Sequence, residues 1–547
     1  MSHTVVRGKP FPAQLYLDTI LDEILASKGK PLEITERKNV NLAQILFHCL
    51  KKNPSDVFMI NGSTGEVITK RQILNEAVSL ARALRAKGVK GKTITLLMRN
   101  HQRMTAMYLA AIFAETLPYM QDPSSTVYEL RHYLELIEPR FIFCDEEHED
   151  NLYNSLKELS GLKDEVVVFE KDEHLKKFAN EYSGEIDGFI IPDKDYNSTV
   201  MMLPTSGSTG LPKAALMTEQ GLIAQLPGPW LYYTDFPKPT KLVMVLTTLQ
   251  WMTFTMMITS GILYEIPLLI TPKITSVDVV KELLVKFRPT WTFFGPAFVK
   301  ALLPEITSDH FSSLETLTLL GAPSTMDLMA AIQDKLPKMA QLCDGYGTTE
   351  TQGYIAIPDK DAPLKSNGRV FNIFQYKLID DDGKEVGRCQ NGELLIKGVS
   401  CIQGYYKNNV AYHETFVDGW YKTGDVFRLD ENERLFYMER RKFSFKFRGC
   451  HVAPEEVESV ISSVAGVQEC VVCGVDGGPA AAVVCQPGCD VTRNQIHDAV
   501  NATLSDHKRL HAGIVFVRSL LHTNNGKLKR NECKKLIQER IISGECF

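Results

Sequence analysis

Along the first third of the chain, apolar residues recur at helical spacing among good helix formers, as in Ala77 to Lys87 (AVSLARALRAK), and then collect in a short block, Thr93 to Met98 (TITLLM). A 3.6-residue period that gives way to a compact apolar run predicts a helix feeding a buried strand, and its recurrence predicts α/β layers. The run VVVF at Val166 to Phe169 and the apolar stretch after Lys241 extend the pattern. Strand-like sequence returns in Gly392 to Ile402 (GELLIKGVSCI). One block is longer: Leu242 to Tyr264 runs 23 residues without a charge, enough to span a bilayer. It holds five threonines, a serine, a glutamine and a glycine, and a chain of this size needs fully buried α/β elements. Core is therefore expected there, and no transmembrane segment.

Past residue 438 the pattern changes. Met438 to Gly449 (MERRKFSFKFRG) is strongly basic, and HVAPEEVESVISSV after it reads as a turn followed by a helix begun by proline. The remainder alternates helix-like stretches with short apolar runs, Val471 to Val475 and Ala480 to Cys485, as a small α+β unit would. At 547 residues the chain exceeds what one core holds. We therefore expect an α/β fold: a large multilayer N-terminal domain of β-sheets flanked by helices over 1–438, and a small α+β C-terminal domain over 439–547.

Charge removes some partners. Lys plus Arg total 61 against 66 Asp plus Glu, a formal balance of −5, so nothing global draws the chain to nucleic acid or to an anionic membrane. The start, MSHTVVRGKPFP, lacks the apolar stretch of an export signal. Twelve cysteines without such a signal read as reduced thiols.

Chemistry concentrates in four segments. Thr205 to Lys213 (TSGSTGLPK) alternates hydroxyls and glycines before a proline and a lysine. Gly207 and Gly210 would let backbone N–H groups approach phosphate oxygens, Thr205, Ser206, Ser208 and Thr209 add hydroxyl donors, and Lys213 adds a point charge. It is neither a Walker A loop nor GxGxxG, because Pro212 stands where the second Walker glycine would; alone it reads equally well as a solvated Ser/Gly loop. The other segments are Asp344 to Glu350 (DGYGTTE), Tyr421 to Asp425 (YKTGD) and Asn525 to Lys529 (NGKLK), each weak by itself.

Taken in this order, the four segments resemble the superfamily of acyl-CoA synthetases, peptide-synthetase adenylation domains and beetle-type luciferases. The nearest likeness is to insect luciferase-like acyl-CoA synthetases and coumarate–CoA ligases, over essentially the whole chain. The resemblance implies a ligase that uses ATP and Mg²⁺ to turn a carboxylic acid into its acyl-AMP and then passes the acyl group to coenzyme A. It implies that the loop Thr205 to Lys213 closes over the ATP phosphates, and that Tyr346 with Gly321, Ala322 and Pro323 holds adenine, whose amino group Asp344 accepts. Thr349 would donate to the α-phosphate, Glu350 would hold the metal, and Asp425, with Arg440 nearby, would take the ribose hydroxyls. Lys527 would bridge acid and α-phosphate during adenylation. The small domain is then expected to be mobile, swinging about the basic segment so that Lys446 replaces Lys527, with Gly449 leaving room for the pantetheine arm. Glu439 stands in place of the family's usual hinge aspartate.

The likeness weakens around the acid. Luciferases and many related ligases carry a histidine in an HHGF-like segment, where this chain has LQWMTF (Leu249 to Phe254), with Gln250 near the histidine's place. Thr218-Glu219 stands for the family's Thr-His, and Ala214 replaces a common glycine. Trp251, Met252, Phe254, Met256 and Met257 suggest an apolar acid, a medium- or long-chain fatty acid or an aryl-alkyl acid. A luciferase-type oxygenation and a weakly active acyl- or nucleotide-binding paralogue are the alternatives. The pairs Cys470/Cys473 and Cys485/Cys489 resemble a zinc pattern, but they lie in or beside strand-like runs where buried thiols are expected. His451 follows the hinge and reads equally as a nucleotide or thiol contact and as a surface residue. No GxSxG elbow or HExxH helix is present. A monomer is expected. The chain ends Gly544-Glu545-Cys546-Phe547 rather than in the SKL of many relatives, so a cytoplasmic pool is expected, with a peroxisomal one needing another signal.

Overall fold

The computed structural model describes residues 11–157, 159, 166–169, 178, 185–205, 213–272, 274, 276–380, 382–440, 445–521 and 530–544. Two mainly parallel sheets dominate the large domain. The first runs Gln341–Asp344, Thr316–Leu319, Trp291–Phe294, Val243–Val245, Leu268–Ile270, Val57–Asn61, Val67–Thr69, parallel except for the last pair. The second runs Val166–Val168, Phe141–Cys144, Thr93–Leu97, Leu117–Met120, Thr199–Thr205, Lys213–Thr218, again closed by one antiparallel pair. Their strands read TLTL, WTFF and FIFC, buried at every position, which is what strands covered on both faces require.

Helices supply that cover. Lys70–Ala86 starts in a capping box, Thr69 accepting from Gln72 N. Gln102–Phe113 is buried from Met104 onward. The charge-free run becomes the strand Val243–Val245 and the helix Met252–Leu263, whose residues are buried on every side except Thr253. Its hydrophobicity thus serves the core, and among the described residues no helix is long and apolar enough to cross a membrane.

A third, antiparallel sheet, Phe374–Ile379, Asn391–Gly398, Trp420–Leu429, with Phe416–Val417 and Leu435–Arg440 on the long central strand, leads the chain to the small domain. There Val467–Val475 and Gly478–Cys485 form a hairpin and Gly513–Phe516 pairs parallel with the second strand. Alternation sorts the first strand onto two cores. Cys470 and Val472 join Ile461, Ile496 and Ile514 on one face, while Val471 and Cys473 join Cys533 and Ile537 on the other. Cys470 Sγ lies 3.4 Å from the Glu458 carbonyl and Cys473 Sγ 3.9 Å from that of Arg530.

Because these two cores draw only on residues from Phe445 onward, we propose two separately cored units, divided near the 438/439 boundary. Ile514→Ala should cost about 2–5 kcal/mol and raise hydrogen exchange in Val467–Val475 and Gly478–Cys485. The same experiment should leave Thr93–Leu97 and Thr316–Leu319 as protected as before.

Candidate active site

The carboxyl ends of the first sheet's parallel strands open the site, as the topology of such sheets favours. Asp344 ends one strand and Gly321, Ala322 and Pro323 follow its neighbour Thr316–Leu319. Gly321 has φ +91°, a left-handed conformation costly for a side chain. Asp344 is buried, and its Oδ1 accepts from Ser324 Oγ at 3.3 Å. Burial pushes this carboxyl up to about 7, with Ser324 and Lys365 opposing.

The chain then turns into the hairpin Tyr346–Thr348 and Gly353–Ile357. Tyr346 packs edge-on against Phe427, ring centroids 4.6 Å apart, and its hydroxyl donates to Asp425 Oδ2 at 2.8 Å. Asp425 lies directly across the sheet from Arg440, whose guanidinium stands 3.6 Å from Oδ1. At that distance the pair is ionic only, and Oδ1, although buried, receives no hydrogen bond among the described residues.

Glu350 gathers a different set. Its carboxylate accepts from Thr205 Oγ1 and Tyr405 OH at 3.0 Å each and from Tyr421 OH at 3.3 Å. Burial, then the Glu350 charge, hold both tyrosine hydroxyls protonated as donors. Thr349 stands half-buried beside it on a single 3₁₀ turn. Thr205, whose hydroxyl bonds Glu350, pairs with Lys213 across the antiparallel end of the second sheet. Lys213 is buried with its ammonium 5.1 Å over the Tyr405 ring.

Lys446 arrives from the small domain. Phe445–Phe447 and Cys450–Val452 form a two-stranded ribbon closed by Arg448 and Gly449, at φ +51° and +82°. Two left-handed residues make the tight turn that suits a twisted ribbon. A Cβ on Gly449 would meet nothing within 4 Å, so what asks for glycine is the backbone. Phe445 presses on Gly474, and Phe447 on Gly478 and His511. The intervening Lys446 projects to the other face, where its Nζ lies 3.7 Å from the point a Cβ would occupy on Gly321. Removal from water pushes its ammonium down to about 7, helped by Arg440 and opposed by Asp425 and Cys450.

The structure thus brings Gly321, Asp344, Tyr346, Asp425, Arg440 and Lys446 to one place and joins Thr205, Glu350 and the neighbouring Thr349 beside it. Ser206, Gly207, Ser208, Thr209, Gly210 and Lys527 lie outside the described residues. Tyr405, Tyr421, Gln225 and Tyr354 went unnoticed in the sequence. Tyr421 alone had a signal, as the first residue of YKTGD. Gln225 Nε2 donates to the Thr351 and Tyr354 carbonyls at 3.1 and 2.9 Å, and the Tyr354 ring lies 2.9 Å from a Cβ position on Gly345.

Comparison with known proteins identifies the family. The AMP-binding enzyme family matches residues 46–406, well over half of the chain, and the AMP-binding enzyme C-terminal domain matches 456–527. A 4-coumarate–CoA ligase of Humulus lupulus is 28% identical over 512 residues, 88% of this chain and 92% of the relative. A luciferin 4-monooxygenase of Luciola mingrelica is also 28% identical over 512 residues, 88% of this chain and 91% of the relative. Among solved structures, an o-succinylbenzoate CoA synthetase of Bacillus subtilis superposes with a TM-score of 0.77 at 21% identity, covering 90% of this chain and 97% of that one. The chain belongs to the AMP-binding enzyme family, in the acyl-adenylate-forming group of CoA ligases and luciferase-like enzymes, and is an ATP-dependent, acid-activating enzyme.

Proposed function

We propose that this acid–CoA ligase activates a compact aryl-alkyl acid carrying a polar ring substituent, in two half-reactions served by different lysines. The observation that carries the two-step reading is Lys446 Nζ standing against the Gly321 turn, beside Asp425 and Arg440. In the first step a carboxylate oxygen attacks the α-phosphorus of ATP and diphosphate leaves. In the second the coenzyme A sulfur attacks the acyl carbon and AMP leaves.

Adenine would lie between Tyr346 and Gly321–Pro323, with Asp344 as acceptor of its amino group. Asp425 Oδ1, which receives no hydrogen bond among the described residues, suits a ribose hydroxyl, because a buried acceptor without a donor costs about 1–3 kcal/mol until one arrives. Thr349 would donate to the α-phosphate. Glu350 fits Mg²⁺: its present partners are three neutral hydroxyls, and among the described residues no cluster of three His, Cys, Asp or Glu could hold a metal. The ion would be shared between Glu350 and nucleotide phosphates, supplying charge that offsets theirs. The loop 206–210 would cover those phosphates with Lys213 behind it, Gly449 would flank the thiol's approach, and Lys527 would act in the first step as Lys446 does in the second.

Two features support the choice of acid. Near Gln225, whose amide bonds the Thr351 and Tyr354 carbonyls, the Tyr354 ring contacts Phe371, and Trp230 contacts both Tyr233 and Trp291, aromatic surroundings that suit a flat ring better than a long flexible chain. Gln225 Oε1, Trp230 Nε1 and Tyr354 OH are buried there without a hydrogen bond among the described residues, which favours a substrate that brings a donor and an acceptor. Pyrophosphate release with coenzyme A should favour ring-hydroxylated cinnamic or phenylpropanoic acids over the unsubstituted acids by about tenfold, one hydrogen bond's worth. Palmitate should be poorer still. Preference for long-chain acids or for amino acids would overturn the choice of substrate, and light from an added luciferin would favour the oxygenase reading instead.

Single turnovers separate the lysines. Lys527→Ala should slow acyl-AMP formation by about a hundredfold or more, the loss of one transition-state cation, yet still convert preformed acyl-AMP to acyl-CoA. Lys446→Ala should form acyl-AMP at near the normal rate and transfer it slowly. Equal damage to both steps by each substitution would contradict the division of labour.

A further inference from the structure

A second contact between the domains lies away from the nucleotide site, on the helix Val127–Ile137. Glu129, on its first turn, uses its two carboxylate oxygens for different tasks. Oε2 accepts from Thr126 N at 2.8 Å, and Thr126 Oγ1 accepts in turn from Glu129 N at 3.3 Å, completing the helix's own capping box. Oε1 accepts from the small domain: from Lys508 Nζ at 2.5 Å, Ser505 Oγ at 3.0 Å and Ser505 N at 3.5 Å. Lys508 Nζ also donates to Glu456 Oε1 at 2.9 Å, and Thr126 Oγ1 donates to the Thr503 carbonyl at 2.8 Å. Glu129, Glu456, Ser505 and Lys508 are 4, 7, 4 and 8% exposed.

An ammonium shared by two carboxylates and sealed from water is stable only while all its bonds are made, since removing one partner strands a buried charge. Lys508 and Glu456 both belong to the small domain and would travel together; Glu129 stays behind with its cap intact. The three meet only in this docked orientation. The segment that carries Lys508 also braces the ribbon that carries Lys446: Asp506 pairs with Arg448, His511 Nε2 bonds the Asp506 carbonyl at 2.7 Å, and the His511 ring packs on Phe447.

We propose that Glu129 and Lys508 are positioning residues for the thioester half-reaction, their buried pairing holding the small domain in the orientation that presents Lys446 to the nucleotide site. The proposal rests on the two-step reading above and adds a specific latch to it. It needs no contact between Glu129 and any substrate, and it makes the latch a contact that must break before adenylation can recur.

The test is Glu129→Gln, because a glutamine oxygen can still complete the capping box while the charge that Lys508 answers is gone. On the protein alone, amide exchange should rise in residues 503–508 and in the ribbon 445–452, with the helix 127–137 protected as before. In single turnovers with the best acid of the panel above, acyl-CoA formation from preformed acyl-AMP should fall about tenfold, the worth of one charge-assisted bond. Acyl-AMP formation should hold or quicken. Glu129→Gln combined with Lys508→Gln should be no slower in the thioester step than the slower single variant. Equal loss in both half-reactions, or unchanged exchange in the ribbon, would overturn the latch. Lys446→Ala run in parallel separates the two claims: if it slows thioester formation and Glu129→Gln does not, the two-step reading stands and the latch falls.

Discussion

Asp425 is the charge on which the site depends. It sits midway along the central strand Trp420–Leu429 of the large domain's third sheet, takes a hydrogen bond from Tyr346 and faces Arg440, and its field reaches Lys446. Two cations cannot be brought out of water side by side without an anion between them. With Asp425 in place, Arg440 is held where the chain leaves the large domain, and Lys446 can approach the Gly321 turn with its ammonium poised to lose its proton near neutral pH. Oδ1 of the same carboxylate receives no hydrogen bond among the described residues. One residue thus joins Tyr346 by a hydrogen bond, Arg440 by an ion pair and Lys446 through its field.

The small domain contributes through period-two geometry. Phe445 and Phe447 anchor the ribbon in their own domain and leave Lys446 on the opposite face. Because the turn at Arg448-Gly449 is two residues long and left-handed at both, the ribbon is stiff, and where the body of the domain docks decides where Lys446 goes. Docking is governed in turn by the buried contact of Lys508 with Glu129, reached through the segment that braces the ribbon.

Much of this was legible in the sequence where the signal is local. The helical period at Ala77 to Lys87 covers the end of the helix Lys70–Ala86 and its C-cap Lys87, the run at Thr93 gives the strand Thr93–Leu97, and the proline after the basic segment begins the helix Pro454–Ser462. Asp344, Tyr346, Thr349 and Glu350 could be named only through the family resemblance that DGYGTTE carries together with the other three segments. What stayed hidden depends on contacts between distant positions. Tyr405 carries no motif and gains meaning only beside Glu350, 55 residues away. Glu129 shows a capping pattern, which accounts for one of its oxygens; the partner of the other lies 379 residues along the chain. The uncharged run at Leu242 was ambiguous between membrane and core because periodicity cannot tell a helix buried on all sides from one that spans lipid.

The central claim is that Lys446, delivered by the small domain, stands at the nucleotide site with a depressed ammonium. Periodate-oxidised AMP, a dialdehyde that traps neutral amines, tests it directly when the adduct is reduced and mapped by mass spectrometry. Lys446 should be modified, the yield should rise as pH is raised through about 7, where the neutral amine becomes the main form, and excess AMP should block the reaction. Modification confined to Lys213 or Lys365, with Lys446 untouched or indifferent to AMP, would contradict the account.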